Sequence, residues 1–310
     1  MAGSSRSRQA WRDHRRTLER RLTVDRRQTG ISGERKLLPL ASGTVQWLIR
    51  TVVRLSGLQG RGRRNALAVR REDLELYFPD LPAAFDGYSI LHLSDLHVGL
   101  MPGGEAAIVR AIRGIHPDLV VLTGDIQTHG QPEPGLAVRL LAPILSACDA
   151  ADGTLAVLGN HDVADLAEGL EAGGVRVLIN EALALHRGDA TLQVVGLDDV
   201  YSFFSPAATA ALTACRDGFR ILLAHTPELA TLADEAGYRL YLCGHTHGGQ
   251  ICLPGGRILI NVLSSHRHLA RGFWRLTGLQ GYTSRGAGSS SPGVRYNCPP
   301  EVTLIRLRRS

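Results

Sequence analysis

Five apolar runs of strand length each stop at a side chain able to hold a metal ion, and that repetition constrains the fold of this chain more than any other feature. Tyr88–Ser94 leads into Asp95, Leu119–Thr123 into Gly124-Asp125, and Thr154–Leu158 into Gly159-Asn160. Arg220–Ala224 leads into His225, and Leu240–Cys243 into Gly244-His245. Short apolar runs bounded by turn residues read as buried strands. The spacing predicts helices over 106–112, 136–148 and 163–172, the last closed by Gly173-Gly174 as a left-handed stop. A strand over 192–195 ends near Asp198-Asp199, two residues that read as turn formers. Ser205-Pro206 and Thr226-Pro227 open further helices as N-cap and first position. Short β pieces are expected between Gln250 and Val262, and a last strand over 302–307. Alternation of strand and helix implies an α/β sheet, and open α/β sheets hold ligands just beyond the carboxyl ends of their strands.

The residue types at those ends indicate the chemistry. Asp95 and His97 are two apart and can point to one side of an extended segment. Asp125 offers a carboxylate able to bridge two cations, and Asn160 a neutral oxygen. His225, His245 and His247 supply imidazoles, which suit Mn, Fe, Zn and Ni. The expected cofactors are therefore two divalent metal ions, with Mn favoured, held by Asp95, His97, Asp125, Asn160, His225, His245 and His247. Paired metals about 3.5–4 Å apart serve displacement at phosphorus, with a bridging hydroxide as nucleophile because the metals lower the pKa of bound water. His161, next to a ligand but aimed elsewhere, is the candidate for stabilising or protonating the leaving oxygen. Asp162 is expected to orient its ring. A lone His225 would ordinarily be a partly buried histidine, and a lone Gly124-Asp125 a common turn. The ordered set, each member following a strand, is what carries the reading.

The charge divides the chain. Residues 1–71 hold 18 Arg or Lys against 4 Asp or Glu, whereas residues 72–310 hold 17 against 25. The expected organisation is a basic N-terminal arm, 1–72, and a catalytic domain, 73–310. Residues 1–36 are Arg-rich without apolar periodicity and read as disordered or transiently helical. The apolar stretch from Leu37 meets Arg50 and contains Pro39 and Gly43, so it is too short and broken for a spanning helix. A helix over about 44–58 puts Val45, Leu48, Ile49, Val52, Val53 and Leu55 on one side and Gln46, Arg50 and Arg54 on the other, which suits the headgroup layer of a membrane. Arg61, Arg63 and Arg64 would add attraction to anionic lipid. Packing on the catalytic domain or an oligomer contact is the alternative, and nucleic acid the least favoured partner. No apolar region follows the arginine pairs, which argues against a secretory signal. Five cysteines without a CxxC pair read as small buried hydrophobes in a reducing compartment.

Taken in order, Asp95-Leu96-His97, Gly124-Asp125, Gly159-Asn160-His161-Asp162, His225 and Gly244-His245-Thr246-His247 resemble the calcineurin-like metallophosphoesterase superfamily over about residues 85–307. Leu81–Gly87, Ser94–His97, Gly244–Gln250 and Ser284–Gly288 are similar to its bacterial YkuE- or YaeI-like branch. The resemblance implies a four-layer α/β/β/α sandwich, two mixed β-sheets flanked by helices. It implies one metal on Asp95, His97, Asp125 and His247, the other on Asp125, Asn160, His225 and His245, and His161 as the catalytic histidine. Members of this branch commonly have a membrane-associated N-terminus, and some relatives cleave the pyrophosphate of UDP-2,3-diacylglucosamine. The spanning helix of many members has no counterpart here, and their Gly-Leu-Gly is Gly286-Ala287-Gly288. Arg285, Gly286–Gly288, His266 and His268 are either substrate-side residues or plain loop.

The expected activity is hydrolysis of phosphodiester or pyrophosphate bonds in a lipid- or nucleotide-linked substrate, by a cytoplasmic protein peripheral on the inner face of the cell membrane. The rival readings are a phosphomonoesterase or protein phosphatase and a non-catalytic, metal-stabilised scaffold.

Overall fold

Successive side chains of a strand face opposite sides, and here both sides are apolar. The computed structural model, which describes residues 2–29, 51, 53–263 and 265–310, shows where each side goes. In β2 (Ser89–Leu93) Ile90 enters the core between two sheets, while Leu91 and Leu93 face helices. In β3 (Leu119–Thr123) Leu119 and Val121 point inward, and Val120 and Leu122 outward. Strands buried on both faces are what a parallel sheet covered by helices requires.

The first sheet runs β1 (Arg70–Phe78), β12 (Glu301–Arg309), β2, β3, β4 (Thr154–Val157) and β5 (Arg176–Val177). The second runs β10 (Gly272–Arg275), β11 (Gln280–Thr283), β9 (Leu240–Cys243), β8 (Phe219–Leu223), β7 (Ala190–Gly196) and β6 (Glu181–Arg187). Both are mixed: β2 to β5 are parallel, with β12 antiparallel to β2, and β7, β8, β9 and β11 are parallel, with β6 and β10 antiparallel at the edges. Leu119, Val121, Leu155 and Val157 meet Leu192, Val194, Ile221, Leu223 and Leu242 between the sheets. Helices α3 (Gly104–Ile112), α4 (Pro134–Ser146) and α5 (Ala164–Ala172) cover the outside of the first sheet through Ile108, Ile112, Leu141, Ile144, Leu166 and Leu170. Helices α6 (Pro206–Ala214) and α7 (Ala230–Glu235) cover the second through Leu212, Ala230 and Ala233. This is the expected four-layer α/β/β/α sandwich.

Some elements differ from expectation. β1 pairs in parallel register with β12 from Arg70–Glu301 to Phe78–Arg309, so a boundary at 72/73 falls inside a strand. Gln250–Val262 forms only isolated bridges, Ile251 with Tyr296 and Cys252 with Ile258. Pro254, Gly255 and Gly256, the glycines at positive φ, break any ladder there. β1, β5, β6, β10 and β11 have no counterpart among the strands expected from sequence.

The largest difference is at the start of the chain. Ala2–Thr29 forms one docked helix, α1, where a disordered or only transiently helical segment was expected. It lies antiparallel along α5 through paired charges: Arg8 with Glu171 (2.8 Å), Arg12 with Glu168 (2.5 Å) and Arg16 with Asp165 (2.6 Å). Glu19 accepts from the Ala164 amide at 2.8 Å, filling an orphan donor of the α5 N-terminus. An arginine stripe spaced by four meets an acidic stripe spaced by three, so the stabilising partner lies outside the helix's own sequence. The amphipathic helix expected over about 44–58 lies mostly outside the described residues. Among the described residues, no helix is long and apolar enough to cross a membrane. Helix α2 (Gln59–Ala66) follows, with Gly62 and Ala66 buried.

Candidate metal centre

The parallel strands end on one side, and their loops meet there. Gly124 has φ +88°, and a Cβ on it would lie 2.5 Å from the Gly159 nitrogen, so only glycine lets these two loops touch. The His161 amide holds that contact by donating to Asp125 Oδ1 at 2.9 Å, and backbone bonds tie in the first ligand loop: the Asp95 amide donates to Gly124 O and the His97 amide to Asp125 O, both at 3.0 Å. Five of the seven expected ligands sit at left-handed φ: Asp95 (51°), His97 (45°), Asp125 (53°), His245 (73°) and His247 (50°). Such strain in non-glycine residues gathers at functional sites.

Two groups able to hold a metal ion result, Asp95 with His97 and His247, and Asp125 with His225 and His245, all buried. In the first, His97 Nε2 lies 3.0 Å from His247 Nε2, which is 3.5 Å from Asp95 Oδ1. In the second, His225 Nε2 lies 3.2 Å from both Asp125 Oδ2 and His245 Nδ1. Asn160 joins this group: its Oδ1 is 3.1 Å from His225 Nε2 and 2.9 Å from His245 Nδ1. Asp125 Oδ2 is also 3.9 Å from His97 Nε2, so one carboxylate stands between the groups. All seven expected ligands are thus brought together. The donor set fits metal ions at the level of tautomers. His97 Nδ1 faces Gln127 O (2.9 Å) and His225 Nδ1 faces Thr123 O (2.8 Å). A carbonyl can only accept, so these nitrogens carry the protons in the neutral rings and leave both Nε2 lone pairs aimed inward.

The electrostatics fit as well. Burial raises the pKa of Asp95, and raises that of Asp125 to about 7 against the pull of His225. Burial alone would lower His225, but Asp125, with help from Asp95 and Asp199, lifts it to about 10. Burial pushes His97 down to about 3, and holds His245 and His247 well below the ordinary value together with neighbouring imidazoles. The interior therefore disfavours both carboxylate charges and keeps three rings neutral, an environment that bound cations would complete.

His161 stands at the rim, its Nε2 3.8 Å from Asp125 Oδ2 and its side chain 16% exposed. Its Nδ1 accepts from the His129 amide at 3.2 Å, which leaves the neutral ring's proton on Nε2. Asp162 does not orient that ring. Its carboxylate accepts from the Gln127 amide (2.8 Å) and the Gly159 amide (2.9 Å), so it braces the backbone of the loop instead. Arg285 is taken up by Glu72 (2.5 Å) and Glu301, which leaves no charge spare for substrate. Gly288 packs against the Leu96 carbonyl and donates to Asp95 O at 2.9 Å, a structural clamp on the first ligand loop. His266 pairs with Thr231 Oγ1 (2.7 Å), and His268 lies 6.4 Å from it, ring to ring. Sequence reasoning missed His129, whose ring is 3.9 Å from that of His161, and Tyr201, 4.6 Å from His245. The only local signal for His129 was its place in the turn after Asp125.

A family model described as calcineurin-like phosphoesterase matches residues 88–249, which hold all seven expected ligands and His161. The chain belongs to this family. It is therefore a metal-dependent phosphoesterase, a hydrolase. It is similar to the uncharacterized metallophosphoesterase YkuE of Bacillus subtilis (strain 168), 30% identical over 237 residues that cover 74% of this chain and 82% of that one. It is also similar to the phosphodiesterase YaeI of Escherichia coli (strain K12), 31% identical over 243 residues, 74% of this chain and 85% of that one. The transmembrane protein with metallophosphoesterase domain of Danio rerio is 30% identical over 68% of this chain and 52% of its own length. Among solved structures, the NAD nucleotidase of Haemophilus influenzae overlaps with a TM-score of 0.44 at 13% identity, over 65% of this chain and 45% of that one.

The Asp125–His225 pair gives the phosphoesterase a proton to lose. Ligation needs neutral imidazole, and His225, raised to about 10, is protonated near neutral pH. Metal affinity should therefore rise with pH across about pH 6–9, with proton release on loading. Calorimetric titration of Mn²⁺ in buffers of different ionisation enthalpy should give buffer-dependent heats. Identical heats in all buffers would contradict the pairing.

Proposed function

We propose that this phosphoesterase hydrolyses phosphodiester or pyrophosphate bonds, using two divalent ions, with Mn favoured, and His161 as proton donor. One observation carries the reading: Asp125 Oδ2 lies 3.2 Å from His225, 3.9 Å from His97 and 3.8 Å from His161. A single carboxylate is thus shared by two ligand groups and faces a proton-bearing ring. Asp95, His97, Asp125 and His247 would hold one ion, and Asp125, Asn160, His225 and His245 the other. Bound there, the ions would supply Lewis acidity and an activated water. His161 Nε2 would hold its proton toward the leaving oxygen, and Asp162 would keep its loop in place.

A diester or pyrophosphate bearing a lipid or nucleotide fits the surroundings. A cleft of about 640 Å³ is bordered by Leu100, Met101 and Pro102, in the segment that follows His97 in the chain. Val53, Leu67, Leu100, Met101 and Pro102 give it apolar walls, and Arg54 and Arg63 two positive charges. Such a lining suits a molecule with an apolar part and an anionic part, UDP-2,3-diacylglucosamine being one example. The phosphodiesterase YaeI among the relatives supports the diester. The basic arm supports a place at the inner face of the membrane.

Metal-depleted protein with Mn²⁺ restored should turn over bis(p-nitrophenyl) phosphate or UDP-2,3-diacylglucosamine faster than p-nitrophenyl phosphate. Preference for the monoester would instead make it a phosphomonoesterase, and no turnover with both ions bound would favour a scaffold. Asp125→Ala should abolish turnover. His161→Ala should keep both ions by metal analysis yet lose about 10²–10⁴-fold in kcat. A His161→Ala protein that lost an ion would make this residue a ligand. The full chain should sediment with phosphatidylcholine vesicles containing phosphatidylglycerol, and less so without it or at high salt. Indifference to the anionic lipid would remove the membrane role.

A further inference from the structure

Among the described side chains of α1, Arg15 alone is buried. Its Nη2 donates to Gly159 O at 2.7 Å and to Asp162 O at 2.8 Å. Its Nη1 pairs with Asp198 Oδ1, and the guanidinium lies 3.9 Å over the ring of Phe203. Trp11, one turn earlier, donates Nε1 to the other Asp198 oxygen at 2.6 Å.

Both targets lead to the metal centre. Gly159 and Asp162 bracket Asn160 and His161. Asp198 adjoins Asp199, whose carboxylate accepts from the Tyr201 amide (3.2 Å) and the Ser202 amide (2.7 Å). Tyr201 in turn lays its ring against His245. One guanidinium therefore ties together the loop that carries Asn160 and His161 and the loop that backs His245. The task needs a rigid, planar set of donors. Lysine can bring the charge but not the fork that reaches two carbonyls and a carboxylate at once.

We propose that Arg15 is a positioning residue of the active centre. From α1 it sets the 159–162 and 198–203 loops so that Asn160 and His245 meet the second metal together and His161 faces substrate. The arm's first helix is thus a working part of the enzyme as well as an attachment to it. The inference rests on the two-metal reading above, and its test separates the two.

The test uses the full-length protein as wild type, Arg15→Ala, Arg15→Lys, Asp198→Asn and, as an exposed control, Arg16→Ala. Mn²⁺ binding is followed by the electron paramagnetic resonance of free Mn²⁺, alongside thermal melting and kcat and KM on bis(p-nitrophenyl) phosphate. Removing partners that orient metal ligands typically costs about 10–100-fold in affinity. Arg15→Ala should weaken one of two Mn²⁺ sites by about that factor and leave the other intact. It should lower kcat more than it raises KM. Arg15→Lys should recover part of the loss, and Arg16→Ala should match wild type. Tryptophan emission should shift in Arg15→Ala as Trp11 leaves Asp198, a change absent on a Trp11→Phe background. Wild-type affinity at both sites in Arg15→Ala overturns the proposal, as does equal weakening of both. If Arg15→Ala fails to fold, Asp198→Asn, which keeps the partner's shape and removes its charge, must show the same one-site loss, and its absence overturns the proposal. Fewer than two ions on wild type would refute the two-metal reading itself, and this inference with it.

Discussion

Two carboxylates held out of water at one edge of the sandwich set the terms for everything around them. Asp95 and Asp125 are 0% and 1% exposed. A buried charge costs several kcal/mol unless it is compensated. His225 offsets one negative charge, and the rest of the donor set consists of neutral imidazoles and an amide. The arrangement is unfavourable as a hydrophobic core and favourable as a seat for cations. It exists because β2 and β3 in one sheet and β8 and β9 in the other end on the same side. The inter-sheet core fixes that alignment, because a one-residue slip would exchange Leu119 and Val121 with Val120 and Leu122 and turn both faces over.

Holding the loops there has a conformational cost. Five left-handed ligand residues at about 1–3 kcal/mol each approach the whole stability of an ordinary domain. They persist because the loops bond to one another. The His245 amide donates to both Asp95 oxygens at 3.1 Å, Gly244 donates to His225 O at 2.8 Å, and Gly288 donates to Asp95 O at 2.9 Å. The Asp95 loop is thus gripped by the His245 loop and by Gly288, and the His245 loop by the His225 loop. The strain is held by bonds between neighbouring loops, and loosening one loop acts first on the ligands that it carries or backs.

This interdependence explains what could be read from the sequence. Asp95, Asp125, Asn160, His225 and His245 were legible because each follows a strand whose apolar run is itself a local signal. The alternation of strand and helix was legible for the same reason, whereas the four layers followed only from the family resemblance of the motifs. Asp162 was misread because adjacency in sequence does not fix side-chain direction. The turn at Gly159 aims its carboxylate at the Gly159 and Gln127 amides, away from the neighbouring ring. The structural role of Arg285 was not legible because its partners, Glu72 and Glu301, lie far along the chain. β6 (Glu181–Arg187) is a half-exposed edge strand whose pairing with β7 defines it more than its own residues do.

The arm was the least legible part, and its charge shows why. A helix without an apolar stripe carries no internal sign of what it packs against. A surplus of arginine reads as an invitation to any anionic surface, and the nearest one is the protein's own. Arg8, Arg12, Arg15 and Arg16 meet Glu171, Glu168, Asp198 and Asp165. Exposed ion pairs of this kind contribute little one by one. Arg15, by contrast, shares the interior with Asp198, and withdrawing it would leave that carboxylate buried and uncompensated. The docking of α1 therefore depends chiefly on one side chain, with the outer pairs setting register. It follows that four of the arm's arginines are already spent on the catalytic domain. An anionic membrane would be met by the remaining ones, Arg54, Arg61, Arg63 and Arg64 among them, two of which, Arg54 and Arg63, line the cleft.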